Sequence, residues 1–150
     1  MSPTTRDDQG PVLAISGSNP SGTCAFSAAI RTRDGIAAEV PRSGERGDLA
    51  ILVQRACAAA GVELAQFAAL RLDCGPGSYI GLRVAVTFAR TLCTFAQVPL
   101  EVTDTLQLIA ATALTSDPAL APRRMVTVLD GRQGRLHLGI HQLADSGRLT

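Results

Sequence analysis

The chain contains no lysine and no tryptophan, and aromatic residues make up only 3% of its 150 positions. Without lysine, the phosphate-binding P-loop is excluded, because that loop needs an ammonium group to reach the β- and γ-phosphates. With so few aromatics, the core must be assembled from Ala, Val, Leu and Ile. Charge is also nearly absent in net terms, at +1. A domain this balanced has no electrostatic footprint for nucleic acid or an anionic membrane surface. The four cysteines, Cys24, Cys57, Cys74 and Cys93, form no CxxC pair, so neither a zinc knuckle nor a thioredoxin-type motif is present. Each lies in apolar surroundings, as expected of reduced thiols in a cytoplasmic protein. No apolar run reaches the roughly 18 residues of a membrane span, and the polar opening MSPTTRDDQG is not a signal peptide.

What is present is a hydrophobic content of 46%, enough for a real core. Val12–Ile15 reads as a strand ended by a Gly/Ser turn, and Cys24–Ile30 and Ile36–Val40 as two more strands joined at Arg33-Asp34-Gly35. Asp48 is placed to cap a helix over Leu49–Ala60, with Gly61 as its stop. Phe67–Leu72 is the next strand, followed by a helix over Gly81–Ala96, a short strand Pro99–Val102 and a helix over Leu106–Leu114 capped by Thr103 or Asp104. Asp117–Arg124 reads as a proline-rich linker. Met125–Leu129 and Arg135–Leu143 pair as a hairpin, in which Leu136, Leu138 and Ile140 alternate with His137, Gly139 and His141. Period two predicts a buried Leu/Ile side and a solvated histidine side; two histidines without a third ligand do not make a metal site.

The order βββ-α-β-α-β-α-ββ predicts an α/β domain on a mixed sheet. The domain plan is a disordered tail over 1–11, one lobe over 12–116, and over 117–150 a linker with the start of an incomplete second lobe.

The turn Cys74-Gly75-Pro76-Gly77-Ser78 stands between a strand and a helix. It matches neither the dinucleotide fingerprint, since the third glycine falls at 81, nor a nucleophile elbow, since Pro76 and Ile80 stand where that motif has glycines. Two readings stay open: an anion turn built on Gly75, Gly77 and Ser78, or a purely architectural turn. The helix behind it is apolar over more than half its circumference, whereas a surface helix needs one stripe of about 100°. Leu82, Ala85, Val86, Ala89, Leu92 and Cys93 form one face, and Val84, Phe88, Thr91 and Phe95 a second. The helix at 49–60 is similar, with Leu49, Leu52, Val53 and Ala56 on its main apolar face. Leu49, Leu52, Val53 and Ala56, with Val84, Phe88, Thr91 and Phe95, are the candidate partner interface.

GPGSYIGLRVAVTFARTL, beginning at Gly75, closely resembles the glycine turn and following helix of the TsaB family, a branch of the actin-like (ASKHA, ribonuclease H-like) fold. VLAISGS from Val12, TDTLQLIAATA from Thr103 and VLDGRQGRLHLGI from Val128 resemble further segments of that family in the same order. The resemblance implies an actin-like lobe with a truncated second lobe. It further implies a non-catalytic accessory role in threonylcarbamoylation of adenosine in tRNA, exerted by binding a TsaD-type catalytic subunit, or a second copy, through helices 49–60 and 81–96. Older labels for the wider family include M22 peptidase and glycoprotease, and no HxxxH pair on a helix supports them here. The alternatives are a small ATP-binding or phosphotransfer enzyme of the same fold, or a self-associating homologue outside the pathway. Three departures from the family's pattern argue against ATP or ADP as a cofactor. Ser16 stands where the first strand usually ends in Asp, and Asp73 replaces a small residue before the glycine turn. Arg42–Gly47 lacks the usual His-Ser pair.

Overall fold

The computed structural model describes residues 10–19, 26–42, 45, 47–121, 124–144, 147 and 149–150. Residues 1–9 of the expected tail, Cys24, Ser43, Gly44, Arg46 and part of the expected linker therefore lie outside the described residues. Strands β1 (Val12–Ser16), β2 (Ser27–Arg31) and β3 (Ile36–Glu39) form an antiparallel meander. Helix α1 (Leu49–Ala60) follows, then β4 (Ala69–Asp73), α2 (Tyr79–Ala96), β5 (Leu100–Thr103), α3 (Thr105–Ser116), and the hairpin β6 (Met125–Arg132) and β7 (Arg135–His141). β4 and β5 join the meander in parallel, giving one mixed sheet of order β3-β2-β1-β4-β5; β6 and β7 form a separate two-stranded sheet. This is a mixed-sheet α/β fold, as the sequence predicts.

Local chemistry sets the boundaries. The Asp48 carboxylate accepts from the Ala50 N–H at 2.9 Å and opens α1, while Gly61 closes it at φ 65°, a left-handed value that glycine adopts without strain. Asp104 caps α3 by accepting from the N–H groups of Leu106 and Gln107 at 2.7 and 3.2 Å. Ser78, ahead of the expected start at Gly81, caps α2 by accepting from the Gly81 N–H at 3.2 Å.

One face of the large sheet, with Leu13, Ile15, Ile30, Leu70 and Leu72, packs under α1 and α2 as the main core. The other end of the chain departs from expectation. Leu136, Leu138 and Ile140 do not face inward; they are 63–71% exposed, and Val126 and Val128 across the hairpin are exposed with them, at 63% and 52%. The opposite side, carrying Thr127, Gly139 and His141, packs on α3, and His141 is buried with its Nε2 3.0 Å from Thr127 Oγ1. The reason is steric. A Cβ on Gly139 would lie 3.0 Å from Leu106 Cβ and 2.8 Å from Thr127 Oγ1, so only the side with a missing side chain admits the helix at this distance. The solvated histidine side expected from the sequence is thus corrected at His141, although His137 is exposed. Among the described residues no helix is long and apolar enough to cross a membrane.

Candidate functional site

The glycine turn joins three elements. Gly75 has φ 97° and a cis peptide to Pro76. Its carbonyl accepts from the Thr105 N–H at 2.9 Å, and the Ser78 N–H donates to the Ser18 carbonyl at 2.8 Å. Gly17 and Gly81 bring β1 and α2 together backbone to backbone: a Cβ on Gly17 would sit 2.6 Å from the Gly81 carbonyl oxygen and 2.7 Å from Ala85 Cβ. Gly77 lies equally close against Ser18. The amides of Ser78 and Gly81 and the Ser78 hydroxyl are committed to this junction. Ser78 is therefore a helix cap, with its oxygen facing an amide of its own helix.

Two departures noted in the sequence turn out to be partners. The parallel register sets Ile15 opposite Leu72, which brings the next residues, Ser16 and Asp73, to the same end of the sheet. Ser16 Oγ donates to Asp73 Oδ2 at 2.8 Å, and the Gly17 N–H donates to Oδ1 at 3.1 Å. The Asp73 carboxylate is buried and employed in holding the β1 turn. Nothing in either local segment announces this pair; only the strand register does.

The two expected interface helices differ. Leu49, Leu52, Val53 and Ala56 of α1 are at most 3% exposed and belong to the chain's own core, so no partner can touch them. The helix turns that face inward because its apolar stripe is the one matching the sheet; its outer side shows Ile51. On α2 the second face is open. Val84 is 43% and Phe95 82% exposed and Thr91 is exposed, whereas Phe88 is half-buried against the core. Buried Ala85, Ala89 and Cys93 take the inward side. Ile80, Arg83, Val84, Thr87, Phe88 and Thr91 line a shallow cavity of about 540 Å³ along this face. Ile80 was missed from the sequence, although it stands four residues before Val84 and extends the same stripe. Next to it the exposed Tyr79 ring carries the Arg83 guanidinium, 5.4 Å from the ring centre.

A more polar cleft of about 400 Å³ separates the start of α2 from the β6–β7 hairpin, lined by Gly77, Ser78, Tyr79 and Ile80 on one side and Asp130, Gly131, Arg132 and His137 on the other. No group of three His, Cys, Asp or Glu side chains able to hold a metal occurs among the described residues. Burial pushes the thiols of Cys57 and Cys93 above their ordinary range, which disfavours thiolate chemistry at either.

Comparison with known proteins agrees with this architecture. Over 68 residues the chain is 34% identical to the tRNA threonylcarbamoyladenosine biosynthesis protein TsaB of Bacillus subtilis (strain 168), covering 45% of this chain and 28% of that protein. YeaZ from Pseudomonas aeruginosa superposes with a TM-score of 0.78 at 24% identity, over 94% of this chain and 64% of that one. A second Pseudomonas aeruginosa structure, described as similar to peptidase YEAZ, gives 0.79 at 23% identity, over 94% and 63%. The chain thus matches less than two thirds of the length of each relative, and shares with the two structures their actin-like fold. The sequence model of the family TsaD, tRNA N6-adenosine threonylcarbamoyltransferase, matches residues 28–146. By that match, which spans most of the chain, the chain belongs to the TsaD family.

Proposed function

We propose that this chain is a non-catalytic accessory subunit in threonylcarbamoylation of adenosine in tRNA, and that it acts in the cytoplasm by docking a TsaD-type catalytic protein on the outer face of α2. The observation that carries the reading is the open apolar stripe of Ile80, Val84 and Phe95, with half-buried Phe88 between them, which a solitary domain has no reason to leave in water. Its shape supports a helical partner: side chains at this spacing form ridges that interdigitate with those of a second helix. The same stripe serves a second copy of the chain when the catalytic partner is absent.

The phosphotransfer alternative is less well supported. The Ser78 and Gly81 amides that would receive a phosphate already have partners in the chain, and the Asp73 carboxylate stands at the same end of the sheet. Accordingly Gly75, Gly77 and Ser78 act as a structural junction and no nucleotide is needed.

The test is genetic. Removing the gene should abolish threonylcarbamoyladenosine in tRNA, measured by mass spectrometry of nucleosides. The wild-type gene should restore it and Val84→Arg should not. Unchanged modification after deletion would contradict the pathway assignment.

A further inference from the structure

The apolar stripe on α2 is edged by charge on one side only, and that asymmetry bears on the chemistry of whatever docks there; the inference rests on the docking reading of this helix. α2 carries two arginines, Arg83 and Arg90, and no Asp or Glu. Seven residues apart, they stand about two turns from each other on the same flank, with Thr87 between them and Val84. Arg83 lines the shallow cavity beside Ile80, Val84 and Thr91. Past Phe88, on the other side, the helix turns toward the core, where Leu92 packs, so α2 offers no charge on that flank.

Both arginines are exposed, and among the described residues neither forms an ion pair with a carboxylate. Arg83 lies over the exposed Tyr79 ring, 5.4 Å from its centre. A guanidinium resting on a ring keeps its full charge and gives up less freedom when a carboxylate arrives.

Charge placed across an interface steers encounter with the right partner and repels the wrong one. A second copy of the chain is a wrong partner in this sense. When α2 pairs with itself antiparallel about a two-fold axis, each flank lies beside the same flank of the other copy. Four arginines then gather along one edge, with no α2 carboxylate to offset them. We infer that the α2 face takes a helix whose apolar stripe is edged by Asp or Glu about two turns apart, and selects it over a second copy. Exposed ion pairs add little to affinity, so the arginines act chiefly on the rate of encounter.

The test is the rate of association with a TsaD-type threonylcarbamoyltransferase, followed by stopped flow. For the wild-type chain that rate should fall at least about ten-fold between roughly 0.05 and 0.5 M salt. Reversing both charges, Arg83→Glu with Arg90→Glu, should slow association at least about ten-fold at the lower salt and remove most of the salt dependence, with dissociation changed by less than about two-fold. The neutral pair, Arg83→Gln with Arg90→Gln, should lie between. Val84→Arg should instead speed dissociation, because it strikes the apolar contact itself. Added salt should strengthen, never weaken, self-association of the chain alone in sedimentation velocity. Association indifferent to salt and to charge reversal, or self-association that salt weakens, would overturn the inference; the docking reading would still stand if Val84→Arg releases the partner. No binding by the wild-type chain would end both.

Discussion

Gly81→Ala sets two effects of known size against each other. In the first turn of α2 an alanine should help, since glycine disfavours a helix by about 1 kcal/mol relative to alanine. Against this stands the Gly17 carbonyl, directly in the way of the new Cβ, with Ser78 Oγ at 3.2 Å and the Gly17 carbonyl carbon at 3.3 Å. The obstacle is backbone, which no rotamer change can remove, so helix and strand must separate. Overpacking of this kind costs about 1–3 kcal/mol even when side chains can adjust, and the upper end applies here. The net loss should be about 1–2 kcal/mol, or a fall in Tm of roughly 3–8 °C for a chain of this size. Gly17→Ala lacks the helical gain and should cost about 2–3 kcal/mol by the same reasoning. Because either change pushes the same two backbones apart, the double variant should lose less than the sum. Urea unfolding followed by circular dichroism measures all three. A Gly81→Ala protein as stable as wild type or more so would refute the backbone-to-backbone contact, and with it the structural account of the glycine turn.

Three further outcomes follow from other parts of the molecule. Ser16→Ala should cost about 1–2 kcal/mol and Asp73→Ala about 2–3, with a coupling near 1 in the double-mutant cycle; full additivity by urea unfolding would mean that the pair does not interact. Glu45 has its carboxyl lowered to about 2 by hydrogen bonds from the Arg55 guanidinium at 2.7 and 2.8 Å, then by the Arg42 N–H at 3.0 Å. Because the folded value lies below the ordinary 4.5, this contribution is present above that pH and is lost as pH falls toward about 2. Carbon-13 titration of the carboxyl should show a midpoint far below 4.5, and Glu45→Gln should flatten the acid limb of stability; a midpoint near 4.5 would contradict the bidentate pair. Peptide mapping after iodoacetamide should find Cys74, which is exposed, modified well before Cys57 and Cys93, whose thiols burial keeps protonated.

What the sequence made legible followed from local chemistry. Asp48 and Gly61 bracket α1, Asp104 opens α3, and the glycine turn with its apolar helix marks the family because each signal acts within a few residues. What stayed hidden depends on contacts between segments. Leu49, Leu52, Val53 and Ala56 have the same spacing as an interface stripe, and only the position of the sheet turns that stripe inward. On β7, alternation places Leu136, Leu138 and Ile140 on one side but cannot say which side α3 will choose; a glycine on the other decided it. The Ser16–Asp73 pair spans 57 residues and is visible only through the register of β1 and β4.

The central claim is that the outer face of α2 holds a protein partner, and isothermal titration with a TsaD-type threonylcarbamoyltransferase tests it most directly. Binding is predicted for the wild-type chain. Val84→Arg, which places a charge in the middle of the apolar stripe, should weaken it by about 2 kcal/mol or more, roughly 30-fold, with the unfolding midpoint unchanged. Equal binding by the variant, or none by the wild-type chain, would contradict the account.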